Sequence, residues 1–561
     1  MNYHETVLKN ISTRGFIHLM VFSLLIIIAA MIVSGRLAPN QWDSITVKGI
    51  MCQDQQQNHA TGSSGTWFWP DPHNSKCHTI RPSQTHKTKG HSNGYASQSH
   101  IVFAFETPPG KEGYSRWQSS LIALLRLRLT NDSQPDSGAV INHEARLGYM
   151  TSSEKTKEIE YIASNEQERR LLCHSNHQFQ QETYDCSPVV IAVLYSLHHD
   201  HYIINIRLFH SSGKDGQGRL HFDGLGGIED MYMTFITQTA EYTKVRMSLQ
   251  TMFFPVVAAM LLRFSTLVRQ YWGPMNFLQW ALAVLAGILT ILNCPLECLN
   301  LIADFEWLIM IDDFRYCLFR IAFLNFFHTL TDLHHKNNEQ RAKVRTVMHF
   351  LISIACLFIL LVDDVDHFNL LMDPLPLLWV PTHQTMTLCM FLLLTAFLVY
   401  NTFRVILAIL EIMAKTSMNG RIFGINEREI ILLVLAWLCV FVTAFEFVIR
   451  RLHDAMWIWE DCFGLLEIEH TSAFLLGVYC FWNVITCLLL LVFAPSPPRA
   501  PQPDLGSVMR LTPSPGHQGA NPENGGGGQR GELVPRRSMR RYPLLRQNAV
   551  DDAVTEDPEE V

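Results

Sequence analysis

The sequence predicts a membrane α-helical bundle of eight transmembrane helices, a first helix plus a seven-helix bundle, with a luminal antiparallel β-sandwich-like domain inserted between the first and second helices. Three observations lead there. Eight apolar runs, most of about 17 to 24 residues, are long enough to cross a hydrocarbon core about 30 Å thick at about 1.5 Å per residue. The 210 residues at 36–245, between the first two runs, are polar and carry strand signatures. Lys and Arg gather in alternate connections, as the positive-inside rule requires of a multi-pass chain.

Residues 1–14 are polar, with Lys9 and Arg14, and 15–34 form an apolar run broken only by His18 and Ser23. A cleaved signal peptide has a shorter apolar region, about 7 to 15 residues, and a small-residue cleavage site. The run therefore reads as a retained first transmembrane helix. Its basic flank puts the N-terminus in the cytosol and sends 36–245 into the lumen.

Within that segment Leu125–Leu129 and Ile204–Leu208 alternate apolar and polar residues, and His100–Phe105 is a short β-branched and aromatic run. These suit antiparallel strands with one buried face. Asn131-Asp132-Ser133 is a glycosylation sequon, used only on the luminal side. The run His198-His199-Asp200-His201 carries metal-ligand residue types, but its place between two strand-like runs reads more simply as a hairpin turn. Of the 13 cysteines, Cys52, Cys77, Cys173 and Cys186 fall in this segment. Four cysteines allow three pairings; in an oxidising lumen the expected bonds are Cys52 with Cys77 and Cys173 with Cys186.

Seven more spans follow, at roughly 247–263, 275–293, 306–329, 346–363, 386–411, 428–449 and 470–494, within a bundle bounded at 246–496. Arg263 and Arg269, Lys336 to Arg345 and Lys415 to Arg428 fall on the cytosolic side, and Asp363, Asp364 and Asp366 on the luminal one. Arg450 and Arg451 break the pattern, as a snorkelling pair or a cavity-facing one. Residues 497–561 are rich in Pro, Gly and charge without apolar periodicity, and read as a disordered cytosolic tail. In it Tyr542-Pro543-Leu544-Leu545 has the Tyr-x-x-apolar form that clathrin adaptors read.

The stretch Asn293–Phe319 stands out, because Asp312, Asp313 and Arg315 lie where lipid tolerates no charge. Such residues face the bundle interior or a water-filled cavity, unless they pair near the membrane boundary only to hold the bundle together. The net charge of −7, spread over lumen, cytosol and tail, gives no footing for nucleic acid. No His-Glu-x-x-His, Gly-x-Ser-x-Gly or paired-aspartate intramembrane protease signature occurs, which argues against an enzyme. No cofactor or metal is implied.

Several of these residues carry a resemblance. Asn293, Pro295, Glu297, Asp304, Trp307, Asp313 and Arg315 fall without a gap on the spacing of the Wntless family, membrane cargo receptors for lipid-modified Wnt proteins. So do Ser472-Ala473-Phe474, Gly477, Tyr479, Trp482-Asn483 and Ala494-Pro495-Ser496 in the last span. The luminal segment resembles the family at Leu37-Ala38-Pro39, Cys77–Arg81, Ile101-Val102-Phe103, Trp117, Asn205–Leu208 and Tyr242–Val245, and at its four cysteines. Trp457 and Trp459 look like the family's Trp-x-Trp in a luminal loop, although paired tryptophans at a membrane edge are commonly interfacial anchors. The family's tyrosine motif is missing from the cytosolic loop Gly420–Asn426, and the motif at Tyr542 and Leu545 is its candidate replacement.

The resemblance implies a divergent receptor that binds palmitoleoylated Wnt and passes through Golgi, endosomes and plasma membrane, with clathrin adaptors and retrieval machinery on its cytosolic side. Phe319, Phe323, Phe474, Tyr479, Trp457 and Trp459 are the candidate lipid and cargo contacts, and ordinary helix packing explains each of them equally well. Glu297, Asp304, Asp313 and Arg315 are the expected charge cluster at the luminal mouth. The alternative is another trafficking protein with a luminal ligand-binding domain, or a seven-helix signalling receptor resembling a G-protein-coupled receptor. Such a signalling receptor would carry Asp-Arg-Tyr and Asn-Pro-x-x-Tyr signatures, and neither is present.

Overall fold

The computed structural model describes residues 7–53, 77–79, 101–108, 113–129, 139–152, 157–171, 173–176, 183–208, 221–222, 226–271, 277–302, 305, 307–334, 348–362, 374–375, 384–419, 423–459 and 472–495. Asn131, Asp304, Tyr542, Leu545 and the whole 497–561 tail lie outside them, as do the side chains of Trp457 and Trp459.

The chain enters the β-domain from α2 (Thr13–Leu37) through β1 (Trp42–Lys48) and leaves it from β13 (Gly226–Gln238) into α3 (Ala240–Tyr271). Trp42 pairs with Gln238 in the antiparallel register of β1 and β13, so the two crossings into the bundle lie side by side. Between them run β2 (Ile50–Gln53), β3 (Cys77–Thr79), β4 (Ile101–Thr107), β5 (Leu121–Leu129), β6 (Ala139–Ser152), β7 (Lys157–Leu171), β8 (Cys173–Asn176), β9 (Thr183–Cys186), β10 (Val189–Leu194), β11 (Tyr202–Leu208) and β12 (His221–Phe222). One sheet of seven strands orders β1-β13-β5-β9-β8, with β10 on β5 and β12 on β13, and a second of six orders β3-β2-β4-β11-β6-β7. Every pairing is antiparallel.

Between the sheets Phe105, Leu121, Leu125, Ile204, Ile206 and Met233 form one core. The alternation expected over Leu125–Leu129 is present in β5. Before it Ile122 and Leu124, on the opposite face, are also buried, against Val190, Val193 and Ile236. The run His198–His201 corrects an expectation. It joins β10 in one sheet to β11 in the other, so it is a crossover between layers and not a hairpin. The Tyr202 hydroxyl holds it by accepting from the main-chain N–H groups of His198 (2.9 Å) and His199 (3.2 Å). Cys173 is disulfide-bonded to Cys186 across the β8–β9 register. Cys52 is also disulfide-bonded and stands directly opposite Cys77 in the β2–β3 register.

The bundle has a helix at each of the eight expected positions. These are α2, α3, α4 (Phe277–Leu292), α6 (Leu308–His334), α7 (Met348–Val362), α8 (Gln384–Asn419), α9 (Phe423–Trp459) and α10 (Ser472–Val492). Short helices α1 (Val7–Asn10) and α5 (Cys298–Ile302) precede α2 and follow α4. Five of the eight, α2, α3, α8, α9 and α10, are long and apolar enough to span a membrane by themselves. α4 and α7 are shorter apolar helices, and α6 has the length but carries three aspartates and two arginines. α9 runs about ten residues past its expected end at 449, so Trp457 and Trp459 stand on its last turn and not in a loop. With Arg450 bonded to Glu446 one turn earlier, nothing at 450 stops the helix.

α10 is the centre of the bundle, buried along most of its length and packed against α2, α3, α4 and α9. Small residues allow its close approach to α2. A Cβ at Gly35 would lie 2.8 Å from the Cβ of Ala473, and one at Gly477 would strike Cγ of Met31. Gly477→Leu therefore forces the two helices apart, at about 2 kcal/mol by the usual cost of overpacking, and a lowered unfolding midpoint of the full chain checks it.

Candidate functional site at the β-domain end of the bundle

Three charges of α6, Asp312, Arg315 and Arg320, fall into two buried networks. In the first, Arg246 of α3 reaches Glu297, in the turn after α4, at 2.6 Å, and also holds Asp312 of α6. Asp312 pairs in turn with Arg315, three residues along the same helix. Arg315, whose side chain is 4 % exposed, also reaches the end of α4: Nη1 donates to the carbonyls of Ile291 (3.2 Å) and, two residues past the helix, Cys294 (2.7 Å). The last carbonyls of a helix lack intrahelical donors, so Arg315 caps α4 and fixes it against α6. In the second network Arg320 grips Glu446 of α9 with two bonds, at 2.8 and 3.0 Å, and Arg450 donates to the same carboxylate at 3.0 Å. The Tyr316 ring lies between the two, with the guanidinium carbons of Arg450, Arg246 and Arg320 at 5.1, 5.4 and 5.7 Å from its centroid. A cation over an aromatic face is held best where water is excluded.

Of the expected cluster, Glu297 and Arg315 belong to the first network, and the carboxylate joining them is Asp312. Asp313 is half-buried on the next position of α6. Arg246 and Glu446 went unnoticed in the sequence because they sit one per helix, 66 and 126 positions from their α6 partners. A lone Glu446 in an apolar run was the available signal. Arg450, which broke the charge pattern, is explained by that glutamate.

Below the charges, Tyr479 donates its hydroxyl proton to Oδ1 of Asn293, whose amide donates to Oδ1 of Asn483 at 2.6 Å. Asn483 closes the set by donating to the Tyr479 carbonyl at 2.9 Å. These three residues, which carried much of the resemblance, tie the end of α4 to α10. Deeper still, the Phe319 and Phe323 rings lie tilted with centroids 5.4 Å apart, with Trp482 at 5.0 Å from Phe319 and Phe327 at 4.7 Å from Phe323. Both are fully buried, and Trp482 donates to the Thr443 hydroxyl at 3.0 Å. Phe474 lies apart from this column, half-buried, with its ring 5.8 Å from Phe445 of α9.

The β-domain sits directly on this end of the bundle. Arg116 donates to the Leu301 carbonyl at 3.3 Å, and the Lys244 ammonium lies 5.8 Å from the Trp117 ring. A β-sandwich thus rests on a helical bundle whose adjoining end is held by charge pairs and filled with aromatic rings.

The description "Wntless, GOLD domain" matches residues 50–238, and "Wntless-like, transmembrane domain" matches 239–497. The chain belongs to the Wntless family. It is a divergent member of it and a multi-pass membrane protein. It is 26 % identical over 519 residues to "Protein wntless" of Drosophila persimilis, covering 88 % of this chain and 90 % of the relative. With "Protein wntless" of Drosophila virilis the identity is 25 % over 521 residues, with the same shares covered. The boundary between the two Wntless domains falls at the step from β13 into α3.

Proposed function

We propose that this chain is a membrane cargo receptor that binds palmitoleoylated Wnt proteins and escorts them through the secretory pathway to the cell surface. The observation that carries the reading is the match to both Wntless domains, sandwich and bundle together, along one chain. The physical task suits that pairing. An acyl chain of 14 to 16 carbons costs on the order of 10 kcal/mol to hold in water, at about 0.8 kcal/mol per CH₂. A carrier needs a protein-binding surface and a lipid shelter side by side.

In this reading the N-terminus and tail are cytosolic, the sandwich is luminal, and the charge networks border the luminal mouth of the bundle. The aromatic column of Phe319 and Phe323 is closed in the state described, so the acyl chain enters beside it, with Phe474 and Tyr479 nearer the mouth. Trp457 and Trp459 serve as luminal edge anchors or cargo contacts. Asn131 carries glycan, and Tyr542 with Leu545 recruits a clathrin adaptor during passage through Golgi, plasma membrane and endosomes.

The test is co-purification of the full chain with a co-expressed Wnt, comparing normal cargo with cargo whose acylated serine is changed to alanine. Capture of the acylated form alone is the expected result. Equal capture of both forms, or of neither, overturns lipid-dependent carriage.

A further inference from the structure

Eight free cysteines are among the described residues, and six of them lie within the helices α6 to α10. Cys294 and Cys298 do not. They stand four residues apart in the turn from α4 into α5, both half-buried, with Pro295, Leu296 and Glu297 between them. The turn is compact. The Leu296 N–H donates to the Cys294 carbonyl at 2.8 Å, and the Cys298 and Leu299 N–H groups donate to the carbonyls of Pro295 and Leu296 at 3.3 and 2.9 Å. On a helical turn, positions four apart have Cβ atoms about 5–6 Å from each other, and a disulfide needs about 3.5–4.5 Å. A tightening of the turn closes that gap.

Two further observations set the chemistry. The turn adjoins the β-domain, whose Arg116 donates to the Leu301 carbonyl of α5, and that domain carries disulfides at Cys173–Cys186 and at Cys52. Disulfides persist in an oxidising compartment, and these two thiols share it. Burial, then the Glu297 carboxylate, raise the Cys298 thiol above its ordinary pKa, and the neighbouring Cys294 adds to the rise. A thiolate disfavoured in this way is a poor leaving group, so a disulfide formed at Cys298 resists reduction.

Resting on the luminal placement given above, we infer a redox site: Cys294 and Cys298 form a dithiol–disulfide couple that locks the mouth of the bundle. The oxidant is a luminal disulfide, glutathione disulfide in the simplest case. The thiolate of one cysteine attacks a glutathione sulfur, the glutathione S–S bond breaks and a mixed disulfide forms. The thiolate of the other cysteine then displaces the second glutathione. The two departing thiolates take up the two protons that the cysteines lost, so glutathione is reduced and the Cys294–Cys298 bond remains. The lock acts on the first charge network, because the same turn carries Glu297, paired with Arg246, and the Cys294 carbonyl, held by Arg315. Oxidation fixes both in place, and reduction frees the turn to move them.

To test it, the full chain is expressed through a secretory pathway, alkylated before lysis, digested and mapped by mass spectrometry. Most molecules are expected to carry Cys294 and Cys298 unalkylated and joined, two hydrogens lighter than the dithiol. Hydrogen exchange in lipid nanodiscs then compares protein reduced with dithiothreitol and reoxidised with glutathione disulfide, in wild type and in Cys298→Ser. Oxidation should slow the amides of 296–300 by about tenfold in wild type and leave the variant unchanged, since exchange reports local opening. Alkylated Cys294 and Cys298 beside an intact Cys173–Cys186 bond overturn the couple and leave the luminal placement standing. Alkylation of Cys173 and Cys186 as well overturns that placement and the couple with it. A bond from either thiol to Cys462 overturns the pairing, and equal exchange in both redox states overturns the lock.

Discussion

Glu446→Ala is expected to destabilise the full chain by about 3–5 kcal/mol, the cost of stripping one partner from a buried ion pair. Glu446 is 1 % exposed and is the shared acceptor of Arg320 and Arg450. Arg320 is itself buried, in the middle of α6. Arg450, 28 % exposed at its side chain, sits toward the end of the network and can turn its head outward. The cost therefore falls mainly on Arg320. Thermal unfolding in nanodiscs measures it, and the double variant Glu446→Leu, Arg320→Met identifies its source. Replacing both members of a buried pair by apolar residues of similar volume is often neutral, so the double variant should recover most of the loss. A single variant within about 1 kcal/mol of wild type would mean that Arg320 finds another anion.

The second large effect is a loss of β-domain stability in acid that belongs to His143. This residue is fully buried on the inner face of β6, opposite Gln167 of β7 and Leu208 of β11. Burial, and behind it the positive charge of Arg169, push its imidazole down from 6.5 to about 4, partly opposed by the main chain of Ile141. With the folded pKa below the unfolded one, the unfolded chain takes the proton first. Stability is then full above about pH 6.5, falls as pH drops toward about 4, and levels off below. At 1.36 kcal/mol per pKa unit the total comes to about 3 kcal/mol, of which about 2 kcal/mol is lost between pH 7 and pH 5. His143→Leu keeps the apolar face and has nothing to protonate. The checking experiment is urea unfolding followed through the β-domain signal at pH 7 and pH 5. The acid-induced loss should be smaller in the variant by about 2 kcal/mol, and equal losses in both proteins would assign the acid sensitivity elsewhere.

Local rules made a good part of this molecule legible. Hydropathy located the eight long helices among the described residues, because length and apolar content decide whether a segment can span. The Cys173–Cys186 bond, expected in an oxidising lumen, is present. Where a second element intervened, local rules were silent or erred. The outer face of β5 reads as apolar without saying that β10 covers it, and the His198–His201 run cannot announce that its flanking strands lie in different sheets. Trp457 and Trp459 were assigned to a loop because the Glu446–Arg450 bond that lets α9 continue was not visible in the apolar pattern.

By itself the sequence determined the membrane bundle, the strand-rich insertion, the family and the stretch of α6 where charge meets lipid, because each is written in residues close together along the chain. Only the tertiary structure decided which charges meet. Asp312 rather than its neighbour joins Arg246 to Arg315, and Glu446 neutralises Arg320. The reason is geometric. Adjacent residues on a helix point about 100° apart, so one position decides whether a carboxylate faces its partner, and the partner's place is set by the packing of the other helices.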